Sequence, residues 1–222
     1  MKRFIKFKLF LIFCAVALAL SGISQTTNNM NSQFKTPEEA ANKGKADLLE
    51  VLKSGRDLNL GVSAEELANA IAGKAIAKKQ LNFEKLLNLE NTKSLREVEG
   101  ESLNTVVPMM LSGKVATIIE VRQTKEGWVV AGLGDMSLSR DLSTVLKVSG
   151  NEELIIYEVP NLQSTIYTAA KGDEEMYFTT ITGNESLRAQ VSRAQLFPVL
   201  QAAAKDFEAE WGERVKKERL VK

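Results

Sequence analysis

The segment from Lys114 to Leu133, KVATIIEVRQTKEGWVVAGL, leaves this chain fewer structural choices than any other stretch. Two runs rich in β-branched residues, Val115 to Arg122 and Trp128 to Leu133, flank the polar residues Gln123 to Gly127, the pattern of a β-hairpin. Side chains alternate along a strand, so Val115, Thr117, Ile119 and Val121 share one face, and Ala116, Ile118, Glu120 and Arg122 share the other. The first face is core and the second is mixed.

Upstream of the hairpin the signals are helical. Thr36-Pro37-Glu38-Glu39 offers a capping hydroxyl, a proline at the first helical position and an acid at the third. A helix is predicted from Pro37 to about Lys53, with Ala41, Gly44, Leu48 and Leu52 on its buried stripe and Gly55 as its stop. The small residues on that stripe imply close packing against another backbone. Ser63-Ala64-Glu65-Glu66 repeats the start signal, with Val62 before the cap and Leu67 inside. The spacing of Leu67, Ile71 and Ala75 predicts that this second helix continues past Ile76, with Lys74, Lys78 and Lys79 in solvent. A short helix is expected at Phe83 to Leu89, and charged, turn-like sequence fills Glu90 to Ser102.

The remainder reads mostly as strand. Thr105 to Leu111 contains Pro108 and so is expected at a sheet edge. Leu138, Leu142, Val145 and Leu146 fit a short amphipathic helix, and strands are expected at Leu154 to Val159, Leu162 to Ala169 and Met176 to Ile181. Ser192 and Gln195 form the start signal of a last helix carrying Leu200, Ala203, Phe207 and Trp211 on one face, with Pro198 marking a kink or the true start. The fold class expected is α+β. An antiparallel sheet of about five or six strands carries N-terminal helices and a C-terminal helix on one face. A single domain is expected over 36–222, divided into a helical layer at 36–89, a β-rich part at 104–181 and a C-terminal helix at 192–218.

The N-terminus carries an address. Lys2, Arg3, Lys6 and Lys8 precede the apolar run Leu9 to Leu20, which falls short of the ~20 residues a helix needs to cross a bilayer. Gly22-Ile23-Ser24 supplies a small-residue cleavage pattern, so residues 1–24 read as a secretory signal peptide and 25–35 as a flexible linker. Export to the periplasm or medium follows, with no stable membrane span after cleavage. Removal of the leader takes four basic residues with it and leaves a mild acidic excess. No basic run stands clear of acids, which argues against a nucleic-acid binder. The one cysteine, Cys14, lies inside the leader and the chain has no histidine. Thiolate nucleophiles, imidazole bases, disulfides and Cys/His zinc sites are thereby excluded from the mature protein, and no cofactor or metal is expected.

Few constellations remain that carry chemistry. Gly132-Leu133-Gly134-Asp135 partly matches a phosphate-binding glycine turn, but the third glycine is absent and Asp135 would repel phosphate. It reads instead as a strand-to-helix turn capped by Asp135 or Ser137. Glu120 and Glu158 each interrupt an apolar strand, and two such carboxylates on adjacent strands would form the acid/base pair of a glycosidase-like hydrolase. Trp128, with Tyr157, Tyr167, Tyr177 and Phe178, supplies aromatic surface that either fills the core or grips a sugar or peptide. The turns at Asn151 to Glu153 and Asp173 to Glu175 are acidic but lack calcium-loop spacing. The expectation is a non-enzymatic binding or interaction module of the cell envelope, with Trp128, Glu120 and Glu158 as the ligand or partner surface. Its partner would be an envelope protein, a peptide or a glycan. The competing readings are a carboxylate-based hydrolase and a purely structural envelope component.

Overall fold

Helices in this chain begin where side chains can satisfy the backbone N–H groups of the first turn. The computed structural model describes residues 33–55, 60–150, 152–171, 174–183 and 186–219, so the leader at 1–24 and the linker up to residue 32 lie outside the described residues. Helix α1 spans Pro37–Lys53, and the Glu39 N–H donates to Thr36 Oγ1 at 3.1 Å. Helix α2 spans Ala64–Asn69 behind a complete capping box between Ser63 and Glu66. Asn82 caps the single turn of α3, Phe83–Leu86, and Asp135 caps α4, Met136–Ser149. Helix α5 spans Arg193–Arg219 and opens on reciprocal bonds between Ser192 and Gln195. Pro198 lies inside the helix, as its sixth residue, so it marks neither the start nor a free N–H position and removes one bond of the helical ladder.

The strands are β1 (Ile71–Ala72), β2 (Ile76–Leu81), β3 (Glu99–Leu111), β4 (Lys114–Thr124), β5 (Gly127–Leu133), β6 (Glu153–Val159), β7 (Ser164–Lys171) and β8 (Glu174–Phe178). They form one sheet in the order β5-β4-β3-β2-β6-β7-β8, with β1 paired to β3 beside β2. The sheet is thus larger than the five or six strands expected. It is also not wholly antiparallel, because β2 and β6 run parallel, with Ala77 opposite Ile155 and Gln80 opposite Glu158. Two antiparallel sets, β1 to β5 and β6 to β8, meet at that seam, and α4 carries the chain from one set to the other.

The second predicted helix stops early. Ala70 is extended, and residues 71–81, expected inside the helical layer, instead form β1 and β2. The apolar spacing of Leu67, Ile71 and Ala75 fits a helix, but Gly73 weakens one, and pairing with β3 satisfies the backbone over a longer stretch. Pro108 is likewise not at an edge, since β3 has neighbours on both sides. In an antiparallel pair the N–H and C=O of one residue face the same neighbour. The Pro108 carbonyl accepts from the Gly73 N–H at 2.8 Å, so its missing N–H falls opposite the break between β1 and β2.

Both faces of the sheet are covered, not one. Neighbouring residues on each strand divide between cores: Ile119 and Val107 pack with Ala40, Ala41 and Leu48 of α1, while Ile118 and Val106 pack with Leu138, Leu142 and Val145 of α4. On β6, Ile155 and Tyr157 meet Leu196 and Leu200 of α5, while Ile156 turns to the α4 core. Helices α1 and α5 therefore share one side of the sheet and α4 lies on the other. Gly44 brings α1 down onto β4 and β5, where an added Cβ would stand 2.8 Å from Ile119 Cγ2 and 3.2 Å from Leu133 Cδ2.

Candidate functional site

Alternation along β4 and β6 puts Glu120 and Glu158 on the α4 side of the sheet, on the faces of Ile118 and Ile156. The residue between them is Lys78, expected in solvent on a helix and found instead on β2. Its Nζ lies 3.0 Å from Glu120 Oε1 and 2.7 Å from Glu158 Oε1. The side chains of Lys78, Glu120 and Glu158 are 16, 18 and 34% exposed. Asn104 Nδ2 donates to the other Glu120 oxygen at 2.8 Å. Burial alone would push the Lys78 ammonium down, but its hydrogen bonds to Glu158 and Glu120, together with their charges, hold it above its ordinary 10.5. The pair is thus brought together around one cation. A hydrolytic pair needs room for a sugar between its carboxylates; here a lysine fills that place.

The α4 side carries a second polar contact. Tyr167, buried in the core beneath α4, donates its hydroxyl to Asp141 Oδ2 at 3.0 Å. Burial raises the Asp141 carboxyl above its usual range, and the Tyr167 hydrogen bond and the Arg140 charge oppose this only in part. On the opposite side Tyr157 donates to Glu99 at 2.5 Å and Tyr177 to Glu175 at 2.6 Å. All three tyrosine hydroxyls are pushed upward, by burial first and by the neighbouring carboxylates or their hydrogen bonds next. These rings fill the core and each finds a carboxylate for its hydroxyl.

Trp128 does not join this group. Its side chain packs half-buried in the α1 core, on the sheet side away from Glu120, and its backbone exchanges hydrogen bonds of 2.8 and 2.9 Å with Phe34. The three residues expected to share a surface therefore divide between two faces. The Gly132 to Asp135 turn does what its sequence implies, with Asp135 Oδ1 accepting from the Leu138 N–H at 2.9 Å. Asn151 and Asp173, in the two acidic turns, fall outside the described residues. Among the described residues no cluster of metal-ligating side chains forms, and no helix is long and apolar enough to cross a membrane.

The break between β1 and β2 opens a cleft of about 420 Å³ on the α4 side. Ile76, Pro108, Met110, Leu146 and Leu154 line it, with Lys74, Glu152 and Glu153 around its mouth. Ile71 pairs with Met110 across β1 and β3, so the two side chains share a face, and Ile71 is 70% exposed. Val148, near the end of α4, is also exposed. Lys74 has no carboxylate within ion-pair distance among the described residues. An apolar hollow with a few polar groups at its rim has the form of a small-ligand site.

Sequence reasoning placed Glu120 and Glu158 on less apolar strand faces but missed Lys78 and the cleft. The one signal that pointed to the cleft was Pro108 inside a β run: a residue without an N–H needs a gap in the strand beside it, and Gly73 lies in that gap. Comparison with protein-family models, with curated proteins and with solved structures finds no match for this chain.

Proposed function

We propose that this chain is an exported cell-envelope protein acting as a non-enzymatic binding module, with the cleft between the β1–β2 break and the end of α4 as its ligand site. The observation that carries the reading is the cleft itself: an apolar hollow of about 420 Å³ walled by Ile76, Pro108, Met110, Leu146 and Leu154, with Lys74 beside it unpaired among the described residues. Such a volume suits a small ligand or the apolar side chains of a partner segment. The lysine held between Glu120 and Glu158 supports a structural role for that pair in preference to sugar hydrolysis. The export half of the proposal rests on the basic and apolar leader.

Two experiments test the two halves. The neutral fluorophore N-phenyl-1-naphthylamine should brighten saturably with the wild-type protein. Met110→Trp, which adds bulk to the half-buried β3 wall of the cleft, should abolish that signal while leaving the unfolding midpoint near wild type. Saturable brightening that survives in the variant would remove the cleft as the site. For the address, mass spectrometry of the protein from its native cells should find a terminus near Gln25, and an intact Met1 in the cytosol would refute export.

A further inference from the structure

A second cleft, of about 590 Å³, opens where the 3-10 turn Leu95–Val98, strands β7 and β8 and the first turn of α5 meet. Its walls carry three cations, Lys93, Arg96 and Arg193, and three carboxylates, Glu153, Glu174 and Glu175. The charges are unequally engaged. Glu175 accepts from Ser94 Oγ at 2.7 Å and from Tyr177 Oη at 2.6 Å, so the innermost carboxylate is already satisfied. Arg96 stands 3.6 Å from Glu175 and 3.7 Å from Glu153, close enough for attraction but beyond ordinary hydrogen-bond length. Arg193 makes one long contact, 3.4 Å to the Lys93 carbonyl, and among the described residues no carboxylate lies within ion-pair distance of Arg193 or Lys93. Among the described residues, most of the ten guanidinium donors of Arg96 and Arg193 thus have no protein acceptor within hydrogen-bond distance.

We propose that this cleft binds a small organic oxyanion, a carboxylate or phosphate ester, whose remaining part is neutral or cationic. Arg193 and Arg96 present planar forks that match two oxygens of such a group, and Lys93 adds charge without demanding geometry. Arg96 is free to turn toward the ligand because its present partners do not hold it by hydrogen bonds. Glu153 and Glu174 at the rim repel a polyanion and favour a ligand that carries its negative charge at one end only. The site shares no residue with the apolar cleft except Glu153 at both rims, and it does not depend on ligand binding there.

Isothermal titration at constant ionic strength, with chloride as control, tests this using acetate, glycine and inorganic phosphate as probes. At least one probe should bind saturably, and Arg193→Gln should weaken it by about tenfold or more, the loss typical of one charge-assisted contact. Stronger binding of phosphate would identify a phosphate-bearing ligand; stronger binding of acetate or glycine would identify a carboxylate. Arg96→Gln provides the second variant, and circular dichroism confirms that each folds. No saturable binding of any probe up to about 50 mM, or equal binding by wild type and both variants, would overturn the proposal.

Discussion

Replacing Lys78 with methionine removes the cation between Glu120 and Glu158 while keeping most of the side chain's apolar length. Exposed ion pairs contribute about 0–1 kcal/mol, and removing one partner from a fully buried pair costs about 3–5 kcal/mol. Lys78 and Glu120 are mostly buried whereas Glu158 is a third exposed, so the site falls between these limits. The variant also leaves two carboxylates facing each other. A loss of about 2 kcal/mol at neutral pH is expected, read as a lower urea midpoint with unchanged slope. Adding Glu120→Gln and Glu158→Gln should restore stability to within about 1 kcal/mol of wild type, because no uncompensated charge remains. The pH dependence has a definite sign. The folded-state pKa of Lys78 is raised, so its contribution is fully present below the unfolded value of 10.5 and is lost as pH rises through the higher folded value. The gap between wild type and Lys78→Met should therefore stay constant from neutral pH to about 10 and shrink beyond. A single variant within about 0.5 kcal/mol of wild type, or a triple variant no better than the single, would refute the reasoning.

Two other substitutions probe the opposite side of the sheet. Burial alone would raise the Glu99 carboxyl, but hydrogen bonds from Lys79 and Tyr157, both 2.5 Å, and the charges of Lys79 and Arg96 hold it below its ordinary 4.5. Its contribution is present above that value and lost as pH falls through the lower folded one. Glu99→Gln should thus cost about 1–2 kcal/mol in urea at pH 7, with the difference fading in stronger acid. Gly44→Val should lower stability by about 1–3 kcal/mol, because its Cβ would stand 2.8 Å from Ile119 Cγ2 and 3.3 Å from Val130 Cγ1. A melting temperature equal to wild type would show that α1 can lift from the sheet without loss.

The parts of this fold that could be read from sequence are those fixed by neighbours in the chain. Helix α1 has the predicted bounds because Thr36, Pro37 and Gly55 act locally, and the β4–β5 hairpin forms because its loop is short. Residues 71–81 misled for the opposite reason. Their apolar spacing is helical, but their partners are residues of β3 and β6 that the local pattern does not reveal. The same error hid the ion cluster: the alternation of β4 and β6 placed Glu120 and Glu158 on comparable faces, yet Lys78 reaches them only once it belongs to a strand. The apolar cleft draws its walls from β2, β3, β6 and α4, so no single window of sequence contains it.

The parallel seam between β2 and β6 has unlike ends. At one end Ile76 and Leu154 border the apolar hollow; two residues further along β2 and four along β6, Lys78 grips Glu158 across the join. The two antiparallel halves are thus fastened by a charged clasp beside an open mouth, so the join is held by ions at one end and by apolar contact at the other.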